Sequence, residues 1–178
     1  YDEVSLTSLS TADYSGIEPT VMGIMDDATS AGCGPVSVSL PSLRVDAFGV
    51  GIAAQLQRAK RSGLTFAPEA GTWRMRQIIN KLIREEDLYE AVDAAYSQGW
   101  QRVKLYFLIG LPSETDEDTL GIARLAANVA EIGKRHNKRA SCTASVGGFV
   151  PKPFTPFQWF GQNTTVELQR KVNLLKDA

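Results

Sequence analysis

The sequence predicts an α/β fold of five strand–helix units laid on a parallel sheet. Three observations carry that prediction. Residues 102–109 (RVKLYFLI) are almost all apolar, which is how a strand covered on both faces of a parallel sheet reads. Short strand-like stretches alternate with longer helical ones along the whole chain. Gly110 and Pro112 then end the 102–109 strand in a turn, with Thr115 at a helix N-cap and Glu117 and Asp118 in its first turn. Right-handed crossovers would set the strands side by side in chain order. The 178 residues fall short of the ~250 of a complete eight-unit barrel, so the units form an open, partial TIM-type (β/α) barrel. Alternation alone does not separate that from a doubly wound open sheet.

In order, residues 3–9 (EVSLTSL) alternate apolar groups with hydroxyls and form the first strand. Asp13 caps a helix over 14–28, and the glycine-rich turn 31–35 leads to a second strand at 36–43. A helix over 46–61 follows, then a short strand at 64–67 and the loop Pro68-Glu69-Ala70-Gly71-Thr72. Helices are expected over 73–81 and 87–98, the latter closed by Gly99. The fourth strand is 102–109. A long helix runs over 114–135, a fifth strand over 140–146 with Gly147-Gly148 as its exit, and a proline- and aromatic-rich loop over 149–162. Thr164 or Thr165 caps the last helix, 166–175.

A single domain over 1–178 is expected, and because Tyr1 opens it almost directly in a strand, a fragment of a longer protein. Hydrophobic residues at 43% and charged residues at 22% are those of an ordinary soluble chain, and Cys33 and Cys142, read as two reduced thiols, make a cytoplasmic location the expectation. The net charge of −1 gives no basic field for nucleic acid, which is therefore not an expected partner. No apolar run reaches the ~20 residues that cross a bilayer, so no membrane role is expected either. Cys33 and Cys142 have neither zinc-site nor disulfide spacing, and His136 sits in a basic helix end. No residue is assigned as catalytic and none as a metal ligand.

Ser8 and Ser10, Ser42 and Arg44, Glu69, Gly110 and Glu114, and Lys152 all lie just past strand ends. Parallel strands would bring them to one rim, where α/β folds bind ligands. A carboxylate, an arginine, hydroxyls and glycines suit ribose and an amino-acid zwitterion. Polar residues also gather in any loop, and no Ser-His-Asp pattern, Cys-His pair or Walker loop names a reaction.

Six stretches in order carry a resemblance: LTSLSTADY, SLPSLRVDAF, LTFAPEAG, INKLIREEDLYEAV, LIGLPSETDED and FVPKPFTPFQW. With them the sequence resembles the catalytic domain of radical S-adenosylmethionine (radical SAM) proteins. It is closest to the group of methylthiotransferases and cobalamin-binding-domain relatives. The resemblance implies strands two to six of a part-barrel with S-adenosylmethionine (SAM) across the strand C-termini. It also implies a 4Fe-4S cluster in the parent protein, whose CxxxCxxC loop is not in this sequence. By position, Ser8 and Ser10 would meet the methionine amino group, and Ser42 and Arg44 the carboxylate or substrate. Glu69 matches a glutamate that contacts SAM, although Ala70 replaces the serine beside it. Lys81 stands where relatives pair an arginine with the SAM carboxylate. By the same resemblance Leu108, Ile109 and Gly110 would flank adenine, with Val150 beside them, and Ser113 replaces a common glycine. The implied function is the SAM-binding portion of an enzyme generating a 5′-deoxyadenosyl radical. The substrate is unknown, a cobalamin-binding-like domain is a candidate partner in the same parent chain, and the fragment alone is expected inactive. The alternatives are a non-enzymatic RNA- or protein-binding remnant of the fold, and a part-barrel enzyme binding phosphate at Gly110 or Gly147-Gly148.

Overall fold

A computed structural model describes residues 3–6, 14–32, 36–39 and 64–178. Asp13, the helix over 46–61, and the site residues Ser8, Ser10, Ser42 and Arg44 lie outside the described residues. The described elements are β1 (Glu3–Ser5), α1 (Ile17–Ser30), β2 (Ser37–Ser39), β3 (Leu64–Glu69), α2 (Trp73–Ile78), α3 (Glu85–Ser97), β4 (Arg102–Ile109), α4 (Asp116–His136), β5 (Ser141–Gly148) and α5 (Thr165–Lys176).

Every described ladder is parallel. β1 pairs with β2, and β3, β4 and β5 lie side by side in chain order. One continuous five-strand sheet was expected, whereas the described strands form these two hydrogen-bonded sets.

The core sits on one face of β4. Val103, Leu105, Phe107 and Ile109 are buried together with Phe66 of β3, Leu88 and Val92 of α3, and Ile122, Leu125 and Val129 of α4. Ile17 and Val21 of α1 and Val38 of β2 join the same cluster. Each such aliphatic or aromatic side chain contributes about 1.5–3 kcal/mol when withdrawn from water. The other row of β4 is different. Lys104 and Tyr106 are exposed and Leu108 is half-buried, so the strand is covered on one face and not on both as its hydropathy suggested. Tyr106 and Leu108 count as apolar in a run, yet Tyr106 lies beneath the Lys104 ammonium, 5.6 Å from its ring centre.

Helix ends follow from local chemistry. After α2, Asn80 is left-handed (φ 56°), its N–H donating to the Gln77 carbonyl and that of Lys81 to the Arg76 carbonyl. That double closure stops the helix three residues before the 81 expected, leaving Lys81 in a loop. Gly99 (φ 89°) closes α3 the same way, with Gly99 N–H to Tyr96 and Trp100 N–H to Ala95. Thr115 caps α4 reciprocally: its N–H donates to Asp118 (2.8 Å) and its hydroxyl accepts from the Asp118 N–H. Thr164 caps α5. β5 continues through Gly147-Gly148, which were expected as its exit, because both pair with the end of β4.

One close approach fixes the rim. A Cβ on Gly71 would lie 2.5 Å from the Asp118 carbonyl, and one on Gly121 2.9 Å from the Gly71 carbonyl. The loop after β3 therefore packs backbone against backbone on the start of α4, which only glycine allows.

Candidate functional site

The C-terminal ends of β3, β4 and β5 form the candidate site. Glu69 is the last residue of β3. Between Phe66 and Glu69 the ladder shifts register, so Glu69 stands opposite Phe107, and its φ of 68° is left-handed. A non-glycine residue adopts that conformation only where its surroundings enforce it. Part of the enforcement comes from Arg76. Its guanidinium, 1% exposed, donates to the Ala70 carbonyl (3.1 Å) and to Glu85 (3.2 Å).

Glu69 is half-buried, and Lys81 Nζ lies 4.0 Å from its carboxylate. Burial raises the Glu69 pKa, and the Lys81 charge offsets that only in part. The Schellman-type end of α2 puts Lys81 here, so Glu69 and Lys81, each expected separately at the site, are brought together.

Gly110 (φ 78°) ends β4 and gives its N–H to Glu114 Oε2 at 2.6 Å. The Ile109 carbonyl accepts from the Phe149 N–H (2.8 Å), and the Ile109 side chain lies in the main core. Leu108 is thus the member of the pair on the open face. It packs beside a small apolar cluster of Ala70, Met75, Leu111 and Phe149, with Phe157 against it. Val150 is exposed at the end of β5. Ser113 has φ 66°, the conformation that glycine adopts readily, so serine is tolerated there at a cost.

The anion site that a phosphate-binding enzyme would use at Gly110 is already filled by a carboxylate of the chain itself. Gly147 and Gly148 are paired in β5. Both facts count against the phosphate alternative. Nor is there a reactive thiol in the described residues, since burial pushes Cys142 up to about 11.

Behind the rim sits a hub that the sequence reading took only as a helix start. Asp118 is buried, and it accepts from Thr72 (2.5 Å), Thr115 and Arg74. Burial would raise its pKa, but hydrogen bonds from Arg74, Thr72 and Thr115 outweigh that and hold it well below the usual carboxylate range. Arg74 also donates to the Ser113 carbonyl (2.8 Å), joining α2 to the Gly110 turn. The aromatic loop splits in two: Phe157 packs edge-on to Phe149 and Phe160, while Phe154 and Trp159 are 98% and 88% exposed.

No family model matches the chain. It is 36% identical over 157 residues to an uncharacterised protein of Methanocaldococcus jannaschii, covering 88% of this chain and 32% of that protein. The chain thus spans about a third of the length of that curated relative. Among solved structures it is similar to coproporphyrinogen III oxidase (HemN) of Escherichia coli, a radical SAM enzyme, with a TM-score of 0.66 at 14% identity. That match covers 99% of this chain and 38% of the other. The chain therefore has the α/β fold of a radical SAM enzyme, with its helices packed on a parallel sheet.

Proposed function

We propose that the chain is the SAM-binding portion of a radical SAM iron–sulfur enzyme, a single domain within a longer cytoplasmic polypeptide. The observation that carries this reading is Glu69: a half-buried carboxylate held in left-handed backbone at the end of a parallel strand, with Lys81 as its cationic neighbour. The fold likeness to a radical SAM enzyme and the six ordered motifs support it.

The residues at the rim fit SAM. In the free protein Glu69 and Lys81 balance one another. A bound zwitterion lets each exchange that partner for an opposite charge on the ligand, Glu69 taking an ammonium or ribose hydroxyls and Lys81 a carboxylate. Leu108, with Val150 beyond it, offers an apolar wall at the end of the sheet. Cluster ligands are another matter. Among the described residues no group of three or more His, Cys, Asp or Glu could hold a metal ion, and Cys33 and Cys142 lack the CxxxCxxC spacing. In this proposal those ligands come from elsewhere in the polypeptide. The relative's greater length leaves room for them and for a cobalamin-binding-like domain. When bound, SAM and the cluster supply a one-electron cleavage that yields a 5′-deoxyadenosyl radical. The chain's own work is to hold SAM, orient it and exclude water.

The test is anaerobic. Reduced, cluster-reconstituted full-length protein should convert SAM to 5′-deoxyadenosine, and Glu69→Gln should lower that yield at least about tenfold, the loss of one charge-assisted hydrogen bond. No 5′-deoxyadenosine from the unaltered protein would refute the reading. The exposed Phe154 and Trp159 favour a second reading, a binding remnant that stacks RNA bases. Salt-sensitive RNA affinity would support it, and none at low salt would remove it.

A further inference from the structure

The last helix reaches the rim through one buried charge. Lys171 of α5 is 3% exposed, far less than a lysine tolerates without a partner. Its Nζ lies 2.9 Å from Glu114 Oε2, with those two side chains 4% and 3% exposed, and 3.3 Å from the Thr119 hydroxyl. The same Glu114 oxygen accepts the Gly110 N–H. One helical turn earlier, Leu168 packs beneath two glycines. A Cβ on Gly110 would lie 3.0 Å from a Leu168 methyl, and one on Gly148 3.1 Å from the other. So a single helix face supports the ends of β4 and β5 from behind.

We propose that Lys171 is a positioning residue for SAM: through Glu114 it fixes the backbone of the Gly110 turn, at the rim where SAM is proposed to lie. This rests on the SAM-binding reading above. A buried pair of this kind adds little net stability over an apolar pair of similar size, because desolvating two charges cancels most of their attraction. What it does supply is direction. Glu114 must turn one oxygen to both the Gly110 N–H and the ammonium, and that single geometry holds the glycine in its left-handed conformation. Without the ammonium, Glu114 would be a lone buried carboxylate. It would rotate toward water and release the turn.

The experiment compares Lys171→Met with Arg170→Ala in the full-length protein. Arg170 lies on the exposed side of the same helix, where it pairs with Asp116 and Glu167. The thermal transition of each variant is located first. SAM affinity is measured by calorimetry well below either transition, together with hydrogen exchange at the Gly110 amide. Lys171→Met is expected to weaken SAM about tenfold and to speed Gly110 exchange, whereas Arg170→Ala should leave both unchanged. Adding Glu114→Gln to Lys171→Met removes the unpaired charge while keeping an acceptor for Gly110, and should recover most of the affinity. If folded Lys171→Met binds SAM like the unaltered protein, or Arg170→Ala weakens it equally, Lys171 is a staple and the proposal fails. If the unaltered protein binds no SAM, the underlying reading fails with it.

Discussion

Glu69 is a residue kept against its own stability. Its pKa is raised by burial beyond what Lys81 restores, so holding the carboxylate in its charged form costs the folded protein stability. The linkage follows: the free protein loses stability as pH rises from about 4.5 through the folded pKa, and stays short of it at neutral pH. Glu69→Gln should therefore raise the melting temperature of the SAM-free protein at pH 7 while weakening SAM about tenfold or more. A change that lowered both would mark Glu69 as structural. This residue was legible in the sequence because ligands bind where strands end, although β3 runs on through Pro68 and Glu69, where a loop had been expected from 68. Its pairing with Lys81 rests on a helix end at Asn80, which the apolar pattern of 73–81 did not mark. Cys142, with its pKa pushed up to about 11, should alkylate far more slowly at pH 7 than a free thiol of ordinary pKa.

Among elements, the start of α4 organises the rim. Asp118 closes the Thr115 cap and receives Thr72 and Arg74 from across the sheet end. Asp118→Asn should cost about 2–3 kcal/mol, the scale of hydrogen bonds to a charged group, and lower the melting temperature by roughly 4–12 °C for a chain of this size. Because the Asp118 pKa is depressed, its contribution is complete above about pH 4 and disappears as pH falls further. The variant should accordingly differ from the unaltered protein most at neutral pH and least in acid, as equilibrium unfolding at several pH values would show. Gly71→Ala forces two backbones apart and should be worse tolerated still. Helix and strand existence over 64–178 could be read from caps, glycine stops and apolar period, including Gly99 and the Thr115 cap. What could not be read was tertiary. An acidic run at a helix start looks the same whether its third carboxylate is solvated or, like Asp118, buried under an arginine. Nothing in the sequence singles out Lys171, since its burial depends on where α5 lands. The row Lys104, Tyr106 and Leu108 misled because a run of apolar letters does not say which face a helix covers.

At the scale of the molecule, the described ladders are all parallel, the C-terminal ends of β3, β4 and β5 lie side by side, and the fold is that of a radical SAM enzyme. None of the described helices is long and apolar enough to cross a membrane. If the cluster ligands lie elsewhere in the polypeptide, the 178-residue chain by itself should yield no 5′-deoxyadenosine under reducing conditions, whereas the full-length protein should. A brown, reducible preparation of the isolated chain would contradict that. The most direct test of the central claim is a structure of the full-length protein with SAM. SAM should lie across the ends of β3 and β4, with the Glu69 carboxylate within hydrogen-bond reach of its amino group or ribose and Lys81 turned to its carboxylate. SAM bound elsewhere, or Glu69 still paired to Lys81 with no contact to the ligand, would contradict it.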